Sequence, residues 1–143
     1  MIVGPRGLEL VKRYEQLRLR AYLPTPEDVP TIGWGHTRGV ALGLTCTPEQ
    51  ADVWLVEDLA DAMSAVDEVP VQLTQNQYDA LVSFVFNCGT GAFRASTMRR
   101  LLDGGHYGLA AEQFARWNKQ KGKVLNGLTK RRAEEAALFT SKG

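Results

Sequence analysis

Apolar residues recur along this chain with two different periods, and the change of period divides it. Leu8, Val11 and then Glu15 fall at i, i+3 and i+7, one face of a helix that Pro5-Arg6 would open. Leu17, Leu19, Ala21 and Leu23 then alternate with polar or aromatic neighbours, the period of a strand. Pro24-Thr25-Pro26-Glu27-Asp28 is a turn cluster. Residues 31–36 predict a return strand with Gly33 and Gly35 on one face, and residues 37–46 predict a loop or a short third strand. From there the period is helical. Thr47-Pro48-Glu49-Gln50 is a capping box with proline at the first helical position. It opens a helix whose stripe is Val53, Trp54, Leu59, Met63 and Val66, ended by Pro70. Thr74-Gln75-Asn76-Gln77 is a second capping box, opening a helix over 78–87. Apolar residues at 81, 82, 84, 85 and 86 predict burial on most sides of that helix. Gly89-Thr90-Gly91 ends it, Ser96 caps a short helix that stops at Gly104-Gly105, and two further helices span 109–117 and 128–139.

This pattern predicts an α+β fold, a single domain over 1–143. A small hairpin lobe covers about 17–46, and a helical lobe covers about 47–143 plus the N-terminal helix. A cleft between such lobes is a common place for a ligand. The length suffices for a real core. Met1-Ile2-Val3-Gly4-Pro5-Arg6 opens no apolar run, so neither a cleavable signal nor stable membrane insertion is expected.

The net charge of +1 hides an asymmetry. Residues 51–70 carry six acids (Asp52, Glu57, Asp58, Asp61, Asp67, Glu68) and no Lys or Arg, while residues 111–143 carry eight bases and three acids. Two solvated helix faces of opposite sign would account for both. The basic end could also steer the chain toward an anionic polymer. Nucleic acid is not the expected partner, since no recognised nucleic-acid motif accompanies the charge. Cys46 and Cys88 make no disulfide framework and lack metal-ligand spacing, so no zinc site or other cofactor is expected, and both read as small buried hydrophobes.

Glu15 is the strongest candidate for chemistry. A charge is out of place on the Leu8/Val11 stripe, and a helix C-terminus disfavours an anion. Both effects raise a carboxyl pKa, and a glutamic acid still protonated near neutral pH is what a glycosidic oxygen needs as general acid. The plainer alternative is a helix-end glutamate paired with Arg131 or Arg132.

Glu15-(x)-Leu17-(x)-Leu19-(x)-Ala21-Tyr22 followed by Thr31-Ile32-Gly33-Trp34-Gly35-His36-Thr37 resembles the phage-type lysozymes, the endolysin and T-even lysozyme group of muramidases (glycoside hydrolase family 24). Further matches are Leu73-Thr74-(x)-Asn76-Gln77, Leu81-Val82-Ser83-Phe84-(x)-Phe86-Asn87-(x)-Gly89-(x)-Gly91-Ala92-Phe93 and Gly122-Lys123-Val124-Leu125-(x)-Gly127-Leu128-(x)2-Arg131-Arg132-(x)2-Glu135. The resemblance covers nearly the whole chain in order. It implies a lysozyme-like fold and an endolysin that hydrolyses the β-1,4 bond between N-acetylmuramic acid and N-acetylglucosamine in peptidoglycan.

The family carries a Glu, an Asp or Cys nine residues on, and then a Thr. Glu15 matches the acid, and Thr31 matches the threonine that positions the hydrolytic water. Nine residues after Glu15 stands Pro24, which has no proton chemistry, and the Glu-to-Thr spacing is 16 rather than 15. Asp28 is the favoured replacement, with Glu27 and the hydroxyl of Thr25 left open. Lytic transglycosylase chemistry using Glu15 alone is the alternative activity, and a non-catalytic wall- or nucleic-acid-binding domain is the alternative class.

The resemblance also places His36, Phe86, Asn87, Arg116 and Arg132 on the substrate side. His36 would pair with Asp58 as a structural clamp between lobes. Phe86 and Asn87 would meet the sugar's edge and amide, or Phe86 would be core. Arg116 would approach the carboxylates of the substrate peptide. Arg131 and Arg132 would lie against the catalytic acid or brace the helical lobe. The aromatic stripe of Trp54, Phe84, Phe93 and Trp117 reads as core. The partners implied are peptidoglycan and a separate holin that releases a monomeric enzyme from the host cytoplasm to the wall.

Overall fold

The computed structural model describes residues 1–142. The chain groups into two compact units, one of Val11–Ala60 and the other of Met1–Leu10 with the chain from Asp61 on. The boundaries fall after Leu10 and after Ala60, so the unit that holds the hairpin extends past 46 to take in the helix that follows it.

In the unit of Val11–Ala60, helix α1 (Pro5–Tyr14) delivers its last turn, followed by strands β1 (Arg18–Tyr22) and β2 (Thr31–Gly33) and helix α2 (Pro48–Asp58). The strands pair antiparallel with Arg18 opposite Gly33 and Tyr22 opposite Thr31. The expected strand over 31–36 is shorter than predicted. The chain reverses after Gly33, and Ile32 and His36 exchange backbone hydrogen bonds of 2.9 and 2.8 Å. Gly33 and Gly35 stand at φ +64° and +86°, conformations that any other residue adopts at a cost, so the glycines mark a turn and not one strand face. On the other edge of β1, Ala21 and Cys46 donate to Leu44 and Leu19 at 2.9 Å each, which realises the short third strand. Thr47 caps α2 by accepting from Gln50 N–H at 3.1 Å. A Cβ added at Gly33 would lie 3.2 Å from the Cβ of Ala51, so the hairpin rests directly on α2.

The other unit holds helices α3 (Ala60–Asp67), α4 (Gln75–Cys88), α5 (Thr90–Arg94), α6 (Thr97–Asp103) and α7 (Tyr107–Gln113), a 3-10 turn (Phe114–Arg116), a ribbon of β3 (Lys119–Gln120) and β4 (Lys123–Val124), and helix α8 (Asn126–Thr140). Helix α4 is its centre, buried at nine positions from Asn76 to Val85 as the sequence predicted, and α8 packs along it. Its capping box is complete, with Thr74 and Gln77 each accepting from the other's backbone N–H. Phe84 meets Phe93, Phe114 and Trp117 edge-on at centroid distances of 6.5, 5.3 and 5.4 Å, a favourable aromatic geometry. The buried carboxylate of Asp79 accepts from the N–H groups of Gly4 and Gly7 at 2.8 and 3.2 Å, satisfying donors that the start of α1 leaves open.

Three sequence expectations give way here. The helix expected to run unbroken to Pro70 is interrupted at Leu59. Helix α2 buries Ala51 and Leu55 and leaves Val53 exposed, and α3 buries Ala62, Ala65 and Val66. Small alanines carry much of each buried face, which hides it from a pattern built on large apolar residues. Helix α5 and the β3–β4 ribbon were not predicted, since each is too short to show a period. Cys46 and Cys88 are half-buried free thiols, not core residues.

Candidate active site

Glu15 follows the last helical residue of α1, and its N–H still donates to Val11 O at 3.0 Å. The carboxyl is thereby fixed at the helix's partially negative end. The glycine turn after β2 comes up against it. A Cβ built on Gly35 would stand 2.9 Å from Glu15 Oε2, so only glycine leaves room for the acid at this approach. Thr31 heads β2, is buried, and donates its hydroxyl to Val29 O at 3.0 Å. Asp28 lies in an exposed turn closed by its own N–H on Thr25 O at 3.0 Å. Its Oδ2 accepts from the Thr25 hydroxyl, also at 3.0 Å, so two of the three candidates of the loop are bonded to each other.

The turn carrying Gly35 is held from two sides. His36 Nδ1 stands 2.8 Å from Asp58 Oδ2, and the imidazole stacks on Trp54 at 4.6 Å and 7°. The expected His36–Asp58 clamp is formed, but both members lie in one unit, so it joins the turn to α2 and not lobe to lobe. At 6% exposure His36 presents almost no surface to a ligand, which turns the expected substrate contact into a brace. On the other side Asp52 accepts from Trp34 Nε1 at 2.8 Å and from Lys12 Nζ at 3.0 Å, and the ammonium sits 5.3 Å from the Trp34 ring centre. The Lys12 and Trp34 bonds hold the Asp52 carboxyl below the usual aspartate range.

A pocket of about 360 Å³ opens in the helical unit, lined by Asn87, Cys88, Trp117, Lys119, Gln120 and Leu128. Asn87 is exposed at the end of α4, and its Oδ1 accepts from Arg132 Nη2. That bond fixes the amide's orientation and leaves its NH₂ free to donate. Arg132 itself has no exposed surface. Its Nη1 lies 3.0 Å from Glu135 Oε1 and 3.1 Å from Cys88 Sγ, and its guanidinium covers the Phe84 ring at 5.1 Å. The expected substrate contact by Arg132 therefore gives way to orientation of Asn87 from behind. Arg131 donates to Glu135 Oε2 at 3.2 Å, and Ser83 Oγ donates to the same oxygen at 2.6 Å. Burial pushes the Glu135 carboxyl up, against the opposing pull of Arg132, Ser83 and Arg131. Phe86 is half-buried and Arg116 exposed, and neither is among the residues that line this pocket.

The sequence reading missed Gly35 as the acid's neighbour, and it missed Lys119, Gln120 and Leu128 in the pocket. It assigned Trp117 to the core, whereas the ring both packs on Phe84 and lines the pocket. Gly122, in a run of alternating lysines, is the turn signal that could have found the ribbon. Among the described residues no three His, Cys, Asp or Glu side chains come together to hold a metal ion.

The Phage lysozyme family model matches residues 12–135. The endolysin of Acyrthosiphon pisum secondary endosymbiont phage 1 is 45% identical over 146 residues, covering 99% of each chain. The endolysin of Bacillus phage PZA is 44% identical over 144 residues, and the chain spans 56% of that longer protein. A crystal structure of a mutant of P22 lysozyme superposes with a TM-score of 0.90 at 40% identity over 99% of both chains, so the α+β fold is a lysozyme fold. With a match along most of its length and relatives well above the identity that chance allows, the chain belongs to the phage lysozyme family.

Proposed function

We propose that this chain is an endolysin, a glycoside hydrolase that cuts the β-1,4 bond between N-acetylmuramic acid and N-acetylglucosamine in peptidoglycan. The observation that carries the proposal is a glutamic acid at a helix end, packed on a glycine turn that is braced from both sides, in a member of the phage lysozyme family.

In this proposal the Glu15 carboxyl gives its proton to the glycosidic oxygen as the C1–O bond breaks. The Thr31 hydroxyl positions a water on the opposite face of the sugar, and Asp28 takes that water's proton as its oxygen bonds to C1. Glu15 ends as the carboxylate and Asp28 as the acid, and exchange with solvent restores both. Asn87, its Oδ1 accepting from Arg132, offers its NH₂ to the carbonyl of an N-acetyl group, and Arg116 is left as a cation for the peptide carboxylates. His36 and Phe86 support the site by packing. The domain 1–143 acts as a monomer that gathers in the host cytoplasm and reaches the wall once a holin opens the membrane. No described helix is long and apolar enough to cross a membrane by itself.

One observation favours a second activity. Asp28 is exposed and spends an oxygen on Thr25. Were it idle, Glu15 alone could support attack by the muramic 6-hydroxyl, which is transglycosylase chemistry. Mass spectrometry of digested peptidoglycan separates the two. Hydrolysis leaves reducing ends, and Asp28→Asn is expected to slow it by about a hundredfold, a usual worth of general base catalysis. A 1,6-anhydro product, formed as fast by Asp28→Asn as by the parent, would replace the hydrolytic mechanism with the other.

A further inference from the structure

Between Glu112 and Glu134 the chain has seven bases and no acid. Arg131 and Arg132 are buried. Arg116, Lys119, Lys121, Lys123 and Lys130 are exposed, and none of the five has an ion pair among the described residues, whereas Lys12, Arg94 and Arg99 elsewhere do. Three of the five lysines and arginines sit on the β3–β4 ribbon. Lys121 is at φ +51° beside Gly122 at +80°, a two-residue turn for which asparagine-glycine is the favoured pair. It is the one described non-glycine residue with positive φ, so the backbone accepts strain to put a cation at the tip. The base of the ribbon is fixed, with Leu125 N–H donating to Asn118 O at 3.0 Å and Asn118 Nδ2 to Thr129 Oγ1 at 3.1 Å. Directly behind Lys123, Val124 and Leu125 are 56% and 38% exposed.

We infer that the β3–β4 ribbon is a docking surface for an anionic lipid bilayer. Lys119 pairs across the ribbon with Val124 and Gln120 with Lys123, so cations stand on both faces and at the tip. Such a ribbon meets a flat surface tip first. Lysines reach headgroup phosphates, and each near the surface contributes to binding within a Debye length. Val124 and Leu125 enter the interface, as apolar residues beside cations do in peripheral proteins. A phosphodiester polymer would satisfy the lysines and leave Val124 and Leu125 in water, which is why a lipid surface is the better fit. This docking is independent of the catalytic assignment.

Sedimentation with vesicles of phosphatidylglycerol and phosphatidylethanolamine tests it, with phosphatidylcholine vesicles as the neutral arm. The full chain is expected to partition onto the anionic vesicles alone and to leave them at high salt. Lys121→Asn with Lys123→Gln removes two charges, relieves the strained lysine and replaces no pocket-lining residue; about thirtyfold weaker partition is expected. Val124→Ser should weaken partition while keeping the salt dependence. Both variants should clear isolated wall as fast as the parent. Equal partition of the double variant, binding to phosphatidylcholine, or no binding at all would overturn the inference. A Val124→Ser variant that partitions unchanged, with the parent held equally by polyphosphate, would assign the ribbon to a phosphate polymer instead.

Discussion

A single missing side chain decides the geometry around Glu15. Gly35 combines φ +86° with a Cβ direction that ends 2.9 Å from Oε2, so it answers two demands at once. Gly35→Ala should cost about 1–3 kcal/mol of stability from the backbone alone. Displacing the carboxyl should lower kcat by about a hundredfold, the usual effect of a misplaced catalytic group. Kinetics on isolated wall alongside thermal melts checks it, and a variant with normal kcat would mean that the acid does not depend on this contact. Glu15 itself was legible in the sequence as a charge on an apolar stripe. Gly35 was not, because its reason is a side chain twenty residues away. Arg132 shows the same limit. Its spacing to Glu135 permits an ion pair, but nothing in the chain says that the pair is buried or that the guanidinium also holds Asn87.

Elements announced by their ends were the legible ones. Thr47, Thr74 and Ser96 each cap a helix as predicted, accepting from an N–H three residues on. The break at Leu59 has no glycine or proline to mark it, and the ribbon pairs only four residues, so neither leaves a period to find. The acidic run over 51–70 was legible as charge but not as structure. Asp52, Asp58 and Glu68 are engaged with Lys12 and Trp34, with His36, and with Arg94, and so are not merely solvated. The Asp52 brace binds α1, the turn and α2 into one unit, and its pH dependence follows from its sign. A carboxyl whose folded pKa is depressed stabilises above its unfolded value, here about 3.8, and the stabilisation is lost as pH falls through the folded one. Because the pair is half-exposed and screened, the contribution is at most a few tenths of a kcal/mol, roughly that of a surface ion pair. Melts at pH 7 and pH 3 should show the parent losing slightly more than Asp52→Asn, and an identical loss in both would remove the brace from the account.

The molecule as a whole was read best where pattern and family agree. The helical core around α4, the hairpin and the lysozyme fold were all expected, and the fold matches a solved P22 lysozyme at a TM-score of 0.90. Less legible was the polar knot inside that core, where Ser83, Arg131, Arg132 and Glu135 bury two cations and one anion. Glu135→Gln removes the buried carboxylate that faces both guanidiniums and should cost about 3–5 kcal/mol in urea unfolding, whereas a loss under about 1 kcal/mol would show the knot to be dispensable. The central claim remains that one acid at the end of α1 donates the proton that breaks the glycan. The most direct test is the rate at which Glu15→Gln clears isolated peptidoglycan, with circular dichroism to verify the fold. A fall of about a hundredfold or more in a folded variant is predicted; a folded variant that clears the wall at the parent's rate would contradict it.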